Sequence, residues 1–356
     1  MITSASPRRI LVNLPAWVGD CVMATPTLRA IRQTWPDARI TYLLTPYVAG
    51  IAGGLPFHDD LLYYRGRHPA TGRKISLWST VKSVRAGDYD MGVLLNNSFR
   101  EALLMRLGRV RRRVGYDRDG RGLLLTDRLL AYREDGKFLP QPMVRYYMGV
   151  AHYLGCRNGD FRPELATTPE DRAAAAALLR KHGVDPEKPY IVINPGAAFG
   201  SAKMWAPQKY AQVADELSRR GDRQAVIVCG PQERAVAKAI YDAQKSRAGV
   251  ANFMDEATDL GTTKAVVQGA GMLVGNDSGL RHFGIAFDKP VVTIFGPTEP
   301  VWTECDHPKE IQLRARVPCG PCMLRTCPLD HRCMKLIEPE LVLRAIDLLM
   351  KRYTAC

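Results

Sequence analysis

Hydrophobic residues in the first half of the chain alternate between short apolar runs and longer amphipathic stretches. A short apolar run bounded by turn residues is typical of a strand buried on both faces, whereas apolar positions recurring every three or four residues indicate a helix. This order predicts a parallel, doubly wound α/β domain. We predict strands at 9–14, 40–44, 61–64, 91–95 and 113–116, and helices at 24–35, 75–84, 102–107 and 144–154.

The second half of the chain repeats this order after a segment, 155–169, whose Gly, Pro, Asp and Thr residues are typical of a linker. We predict strands at 190–194, 224–229, 272–274 and 291–295, and helices at 207–219, 232–243, 280–287 and 339–351. A chain of 356 residues is also long for a single core. The sequence therefore predicts two Rossmann-like domains, 1–165 and 166–356, with a cleft between them.

The composition is that of an ordinary globular protein, with 46% hydrophobic and 24% charged residues. No uncharged apolar run approaches the roughly 20 residues that cross a bilayer, and residues 9–18 lack a clear signal-peptide pattern, so we expect a cytoplasmic protein. The net charge of +14 favours an anionic partner. Segment 97–133 carries ten Arg against four acidic residues, which indicates either a solvated face or an anion-binding surface. It contains no known nucleic-acid-binding motif, so nucleic acid is disfavoured.

The loop after the first predicted strand places Gly19 and Asp20 at the start of a helix. Ligands bind beyond the carboxyl ends of the strands in open α/β sheets, so this loop is a candidate site. Asp20 has two interpretations: it caps the helix, or it acts as a general base beside the apolar Trp17. The chain has no G-x-G-x-x-G motif, so NAD binding of the usual kind is not expected.

Loops after the predicted strands of the second half carry groups suited to an anion. Lys203 either neutralises a leaving diphosphate or is simply solvated. The backbone amides of 278–280 begin a predicted helix, which is a favourable place for phosphate. The adjacent Asp277 would repel phosphate, so it either binds sugar hydroxyls or holds the turn. Glu233, after another strand, is a candidate for binding ribose hydroxyls.

These loops, in this order and spacing, resemble those of the ADP-heptose:lipopolysaccharide heptosyltransferases, and the resemblance covers nearly the whole chain. Trp17-Val18-Gly19-Asp20 is more similar to the second type of these enzymes than to the first. The other matching motifs are Asn97-Ser98-Phe99-Arg100, Arg113-Val114-Gly115-Tyr116, Pro195-Gly196-Ala197, Lys203-Met204-Trp205, Asn276-Asp277-Ser278-Gly279 and Phe295-Gly296-Pro297-Thr298.

The resemblance implies a glycosyltransferase-B fold and an inverting transfer of heptose from ADP-L-glycero-D-manno-heptose to the heptosyl-Kdo-lipid A inner core of lipopolysaccharide. It implies no cofactor for the transfer. Asp20 is the implied base, and Lys203 is implied to stabilise the departing ADP together with the 278–280 amides. His282 is either a ligand or a packing residue. The candidate donor-binding residues are Gly19, Glu233, Asp277, Ser278, Gly279, Leu280 and His282.

The implied acceptor is anionic and embedded in a membrane, which gives the basic segment a role. Its candidate binding residues are Arg100, Arg111, Arg112 and Arg113, which would also hold the protein at the cytoplasmic face of the inner membrane. Two alternatives remain open. One is a glycosyltransferase of the same fold with another nucleotide sugar, and the other is a non-catalytic protein that binds nucleotides or nucleic acid.

Four of the nine cysteines lie close together in the sequence, as Cys319-x2-Cys322-x4-Cys327-x5-Cys333. This spacing suits a structural zinc ion or an iron–sulfur cluster, although the donor chemistry requires neither. Disulfides and free thiols are the alternatives. Asp88-Tyr89-Asp90 has the D-x-D pattern of a metal site, but its place before a predicted strand favours a turn.

Overall fold

The chain divides into two compact α/β units in a computed structural model that describes residues 6–157, 159–221 and 223–353. The first unit extends to Pro163 and includes Val301–Cys305, and the second comprises Glu164–Pro300 and the chain from Asp306 onward. The division after Pro163 lies within the segment 155–169 that the sequence indicates as a linker.

The first unit is built around a parallel sheet flanked by helices. Its strands are β1 (Arg9–Asn13), β2 (Arg39–Leu44), β3 (Asp60–Tyr63), β4 (Met91–Leu94), β5 (Arg112–Tyr116) and β6 (Asp127–Leu129), followed by a short antiparallel pair, β7 (Arg133–Glu134) and β8 (Lys137–Phe138). Its helices are α1 (Val18–Met23), α2 (Thr25–Thr34), α3 (Ala49–Ala52), α4 (Leu77–Ala86), α5 (Phe99–Leu107) and α6 (Met143–Tyr153). The strand order is β3-β2-β1-β4-β5-β6.

The second unit has the same architecture. Its strands are β9 (Tyr190–Asn194), β10 (Gln224–Ile227), β11 (Val250–Asn252), β12 (Met272–Asn276), β13 (Val291–Phe295) and β14 (Glu310–Arg314). Its helices are α7 (Pro169–Lys181), α8 (Pro207–Arg220), α9 (Arg234–Ala243), α10 (Leu260–Gly269), α11 (Arg281–Ala286), α12 (Arg332–Lys335) and α13 (Pro339–Tyr353). The strand order, β11-β10-β9-β12-β13-β14, repeats that of the first sheet.

Both sheets are parallel throughout, which confirms the predicted α/β class. In each sheet the strand order reverses direction beside the first strand, between β1 and β4 and between β9 and β12. Ligands of open α/β sheets bind at such switch points, beyond the carboxyl ends of the strands. The loops after these four strands are therefore the places to examine for a site.

The central strands are buried along almost their whole length, as their continuous apolar sequences require. The hydrophobic core of the second unit also buries Trp205 completely, and the apolar face of α13 packs against it. In the described part of the chain, no helix combines the length and the apolar composition needed to cross a membrane.

Helix α7 was not among the helices expected from the sequence, although its local signals are strong. Thr168 accepts a hydrogen bond from the backbone N–H of Asp171, and the Asp171 carboxylate accepts one from the backbone N–H of Thr168. This capping box precedes an alanine-rich stretch with high helix propensity. The helix begins where the predicted linker ends.

Candidate active site

Asp20 lies just beyond the carboxyl end of β1, beside the switch point of the first sheet. The segment expected to be a loop up to Asp20 already turns into helix α1 at Val18, so Asp20 is the third residue of that helix. Trp17 is the N-cap residue and provides no side-chain cap. The interpretation of Asp20 as the N-cap residue is therefore wrong, and Asp20 is instead an acidic residue of the first helical turn.

The Asp20 carboxylate is held by a tyrosine from α6. The phenol of Tyr147 donates a hydrogen bond to Asp20 Oδ1 at 2.9 Å. Tyr147 is almost fully buried, and burial, followed by the charge of Asp20, raises its pKa well above the ordinary value. The phenol therefore keeps its proton and remains a donor at every physiological pH. Gly19, the candidate donor-binding residue of this loop, precedes Asp20 in α1.

A second group of polar contacts surrounds Asn97, which follows β4 on the other side of the switch point. Asn97 Oδ1 accepts a hydrogen bond from the Tyr146 phenol at 2.9 Å and another from Arg121 Nη2 at 3.0 Å. Arg121 is completely buried and also donates to the backbone carbonyls of Tyr116 and Asn96. Adjacent tyrosines of α6 thus hold the loops that follow β1 and β4.

Three of the four candidate acceptor arginines lie at the amino ends of the strands, whereas Asp20 lies near the carboxyl ends. Arg112 is the first residue of β5 and pairs with Asp127 at 2.8 Å, whereas Arg111 pairs with Asp88 at 3.0 Å. Arg113 donates to backbone carbonyls. Since the strands are parallel and rise about 3.3 Å per residue, these residues are roughly 10–16 Å along the strand direction from the carboxyl ends near which Asp20 lies. The structure therefore does not bring them together with Asp20.

Arg100 is the candidate acceptor residue that the structure does place on the same edge as Asp20. It lies in the first turn of α5, directly after the Asn97 loop, and its side chain is exposed. Trp17 and Phe99, on the same loops, are also exposed, by 55% and 43% respectively. An exposed cation and exposed aromatic rings at the same end of the sheet suit an amphipathic, anionic molecule.

In the second unit, Lys203 and Asp277 form a buried ion pair. Lys203 lies in a short 3₁₀ turn after β9 and is 9% exposed, and Asp277 follows β12 and is 4% exposed. Lys203 Nζ donates to Asp277 Oδ2 at 2.5 Å and to its backbone carbonyl at 3.0 Å. Thr298 donates to the same carboxylate. Lys203 is therefore neither solvated nor a mobile charge, and Asp277 does hold its turn.

Arg281 and Glu310 form a second ion pair next to Asp277. Arg281 is completely buried, donates to both carboxylate oxygens of Glu310 at 2.6 and 2.8 Å, and lies 3.6 Å from Asp277. Burial alone would raise the pKa of Asp277, but the charges of Lys203 and Arg281 outweigh it and lower that pKa. Burial, aided by Arg281, lowers the pKa of His282 to about 3, so this imidazole is neutral at physiological pH.

The 278–280 turn is attached to the neighbouring strands by side-chain amides. Ser278 donates to Asn194 Oδ1 at 2.7 Å, and Asn194 in turn donates to a backbone carbonyl at the end of β10. Asn276 donates to the backbone carbonyl of Pro195. Helix α11 begins after the turn, at Arg281, and has only six residues. Backbone hydrogen-bond donors, rather than a long helix dipole, are what this turn offers an anion.

Glu233 lies at the corresponding edge, after β10. Its carboxylate accepts a hydrogen bond from the backbone N–H of Gly230 at 2.8 Å. It also packs against Gly196, where a Cβ atom would overlap the carboxyl group. The absence of a side chain at position 196 therefore makes room for Glu233. The ribose-binding role of Glu233 stays a prediction.

The Cys-rich segment, residues 319–333, contacts the loops that carry Lys203 and Thr298. The backbone carbonyl of Arg325 accepts a hydrogen bond from the N–H of Ala202, and His331 Nε2 donates to the Ala202 carbonyl at 2.7 Å. The backbone N–H of Met323 donates to the carbonyl of Pro297. The segment therefore supports two loops at the carboxyl edge of the second sheet.

The two sheets share one doubly wound strand order, as in the glycosyltransferase-B fold, and a carboxylate lies beside the first switch point. The profile of glycosyltransferase family 9 (heptosyltransferase) matches residues 77–332, and the chain belongs to this family. Lipooligosaccharide heptosyltransferase 2 of Campylobacter jejuni is 26% identical over 96% of this chain and 98% of its own length. Lipopolysaccharide heptosyltransferase 2 of Escherichia coli is 27% identical over 83% of this chain and 84% of its own.

A solved structure, described as that of the E. coli ADP-heptose lps heptosyltransferase II, has the same fold. The match covers 98% of this chain and 100% of the E. coli chain, with a TM-score of 0.80 and 24% identity. These comparisons confirm the family resemblance that the loop motifs indicate.

Proposed function

We propose that this chain transfers a heptose from ADP-L-glycero-D-manno-heptose to the heptosyl-Kdo-lipid A inner core of lipopolysaccharide, with inversion at the anomeric carbon. The observation that carries the proposal is the family match over residues 77–332, which includes motifs of both units. The names of the C. jejuni and E. coli relatives support the second heptose addition in particular.

On the acceptor side, Asp20 is the proposed general base. Its carboxylate takes the proton of the acceptor hydroxyl as that oxygen attacks the anomeric carbon, and the bond from this carbon to the diphosphate breaks. The hydrogen bond from Tyr147 orients the carboxylate toward this role. The transfer itself requires no metal ion in this scheme.

On the donor side, Lys203 and the 278–280 turn are proposed to stabilise the departing ADP. An ammonium group has three N–H donors, and Asp277 accepts two of those of Lys203. The third is left for a diphosphate oxygen, together with the amides of Ser278, Gly279 and Leu280. We propose Gly19, Glu233, Asp277 and His282 as further donor contacts, with His282 acting as a neutral imidazole.

The acceptor lipid supports a peripheral position at the cytoplasmic face of the inner membrane. Arg100 is the arginine proposed to bind a core phosphate, because it shares the edge of the sheet with Asp20. Exposed Trp17 and Phe99 suit the interface of an anionic bilayer. Arg111, Arg112 and Arg113 have internal partners on the other edge and are not needed for this role.

A donor panel tests the proposed function. Purified protein is incubated with ADP-heptose, UDP-sugars or GDP-sugars, with and without heptosyl-Kdo-lipid A, and nucleotide release is measured in buffer free of divalent cations. We expect ADP release only when ADP-heptose and the lipid are both present. Faster release from another nucleotide sugar would assign a different donor within the same fold. Tight binding to nucleic acid without any transfer would instead support a non-catalytic role.

We also propose a structural metal ion, zinc or iron, bound by the four thiols of the Cys-rich segment. Cys333 is buried, and its pKa is raised by burial and by the nearby Cys327, Cys319 and Cys322. Cys319 and Cys322 are exposed, and none of the four forms a disulfide. Among the described residues no three ligating side chains are drawn together as around a bound ion, so the exposed thiols must move toward Cys333.

Metal analysis of protein purified without air and without a metal-affinity column tests this site. We expect about one zinc or iron ion per chain, with loss of that metal in Cys322→Ser/Cys327→Ser. Cys156→Ser, which changes a buried thiol of the other unit, is the matched control and retains the metal. Wild-type protein that holds no metal, and that gains no thiolate–cobalt spectrum when Co²⁺ is added, excludes the site.

A further inference from the structure

The orientation of the Asn97 side chain is determined by its two partners. Arg121 has only N–H donors, so the Asn97 atom that faces it must be the amide oxygen. The Tyr146 phenol faces the same atom and donates its single proton there. The two N–H groups of the Asn97 amide therefore project away from Arg121 and Tyr146.

These N–H groups are available to a ligand. Asn97 is only partly buried, and within the described residues Nδ2 has no hydrogen-bond acceptor. Its position is nevertheless rigid. Arg121 is completely buried, and the Tyr146 ring stacks on Tyr116 with centroids 3.9 Å apart. A fixed polar group with unused donors is what a substrate-orienting residue requires.

Asn97 also has a defined relation to Asp20. The two loops follow β4 and β1, which are neighbouring parallel strands, and Leu94 pairs with Asn13 at their ends. Tyr146 and Tyr147 are consecutive in α6, and one holds Asn97 while the other holds Asp20. The helix therefore keeps an amide donor and a carboxylate base in fixed positions at the same switch point.

We propose that Asn97 binds the acceptor sugar, donating a hydrogen bond from Nδ2 to an oxygen next to the hydroxyl that Asp20 deprotonates. Arg121 and Tyr146 are positioning residues, because their effect on the acceptor would pass through Asn97. This inference rests on the proposed function and adds a second point of attachment for the acceptor. Two contacts define the direction of the attacking hydroxyl, whereas a base alone does not.

Asn97→Asp is the decisive variant, because it keeps oxygen acceptors for Arg121 and Tyr146 but has no N–H donor. We expect kcat/KM for the acceptor lipid to fall about 10- to 100-fold, with the Kd for ADP-heptose unchanged. Asn96→Asp adds the same charge to the same loop and is the matched control, expected to stay within about twofold of wild type. Equal kcat/KM values for the two variants would overturn the inference.

Tyr146→Phe gives a second measurement should Asn97→Asp fold poorly. It leaves the amide in place but removes one of its two restraints, so we expect a smaller loss confined to the acceptor parameters. A loss that appears equally in donor binding would indicate a merely structural role.

If wild-type protein transfers no heptose, the proposed function fails, and titration with the acceptor lipid then decides the role of Asn97. Weaker binding by Asn97→Asp than by Asn96→Asp supports that role, and equal binding rejects it.

Discussion

Asp20→Asn is expected to lower kcat for heptose transfer by about 10²- to 10⁴-fold, the usual contribution of a general base. The amide oxygen of asparagine still accepts the hydrogen bond of Tyr147, so helix α1 and its packing against α6 are retained. An amide, however, does not take a proton from a hydroxyl. The Kd for ADP-heptose should therefore remain near that of wild type.

Steady-state turnover and donor titration on the same preparation check this expectation. Asp37→Asn is the matched control, since Asp37 is exposed in the turn after α2 and its replacement should leave kcat unchanged. If Asp20→Asn turned over at more than about a third of the wild-type rate, Asp20 would not be the base. The Tyr147 contact would then have to be explained by stability alone.

Lys203→Met is expected to destabilise the second unit by about 3–5 kcal/mol and to abolish detectable transfer. Methionine fills much of the same space but leaves the Asp277 carboxylate buried, with Arg281 at 3.6 Å. Breaking one partner of a buried pair has a large cost because the other charge remains without water. Denaturant unfolding monitored at several pH values measures the effect.

The pH dependence provides a second check on the same pair. In the wild type the pKa of Asp277 is lowered, so its contribution to stability is present above about pH 4 and is lost as the pH falls further. Without Lys203, we expect burial to outweigh the remaining charge of Arg281 and to raise that pKa above its ordinary value. The folded variant then binds a proton more readily than the unfolded chain. The difference in free energy of unfolding between wild type and Lys203→Met should therefore shrink as the pH is lowered from 8 to 5.

Lys188→Met is the matched control for the ion pair. Lys188 and Asp185 form an exposed pair at 3.8 Å in the same unit, and its removal should cost less than about 1 kcal/mol. The double variant Lys203→Met/Asp277→Asn should recover part of the lost stability, because it also removes the buried carboxylate charge that Lys203 compensated. If Lys203→Met lost no more stability than Lys188→Met, the buried pair would contribute little to the stability of the fold.

Most of the sheet architecture could be predicted from the sequence, because strands buried on both faces appear as continuous apolar runs. The predicted strands at 40–44 and 190–194 agree closely with β2 and β9. The short strands β6, β11 and β14 were not expected. They lie at or near the sheet margins, where partial burial permits polar residues and weakens the apolar pattern.

The candidate site was likewise only partly predictable from the sequence. Asp20, Lys203 and Asp277 were found because they follow apolar runs, and loops at strand ends are where α/β sheets bind ligands. Their partners were not found. Tyr147 is 127 residues from Asp20, and a tyrosine on the apolar face of a helix has no sequence signal that identifies its acceptor. Arg121, which holds Asn97, and Glu310, which pairs with Arg281, likewise look like ordinary surface charges in the sequence.

The sequence by itself determined the α/β class and the family, and it indicated the loops at strand ends as candidate sites. These depend on local periodicity and on residue types at strand ends, which are properties of short segments. Only the tertiary structure decided what each charged side chain does. It showed that Asp20 is held by Tyr147, that Lys203 pairs with Asp277, and that three of the candidate arginines lie on the opposite edge of the sheet. The reason is physical: hydrogen bonds and ion pairs form between groups distant in the chain, and burial sets their strength.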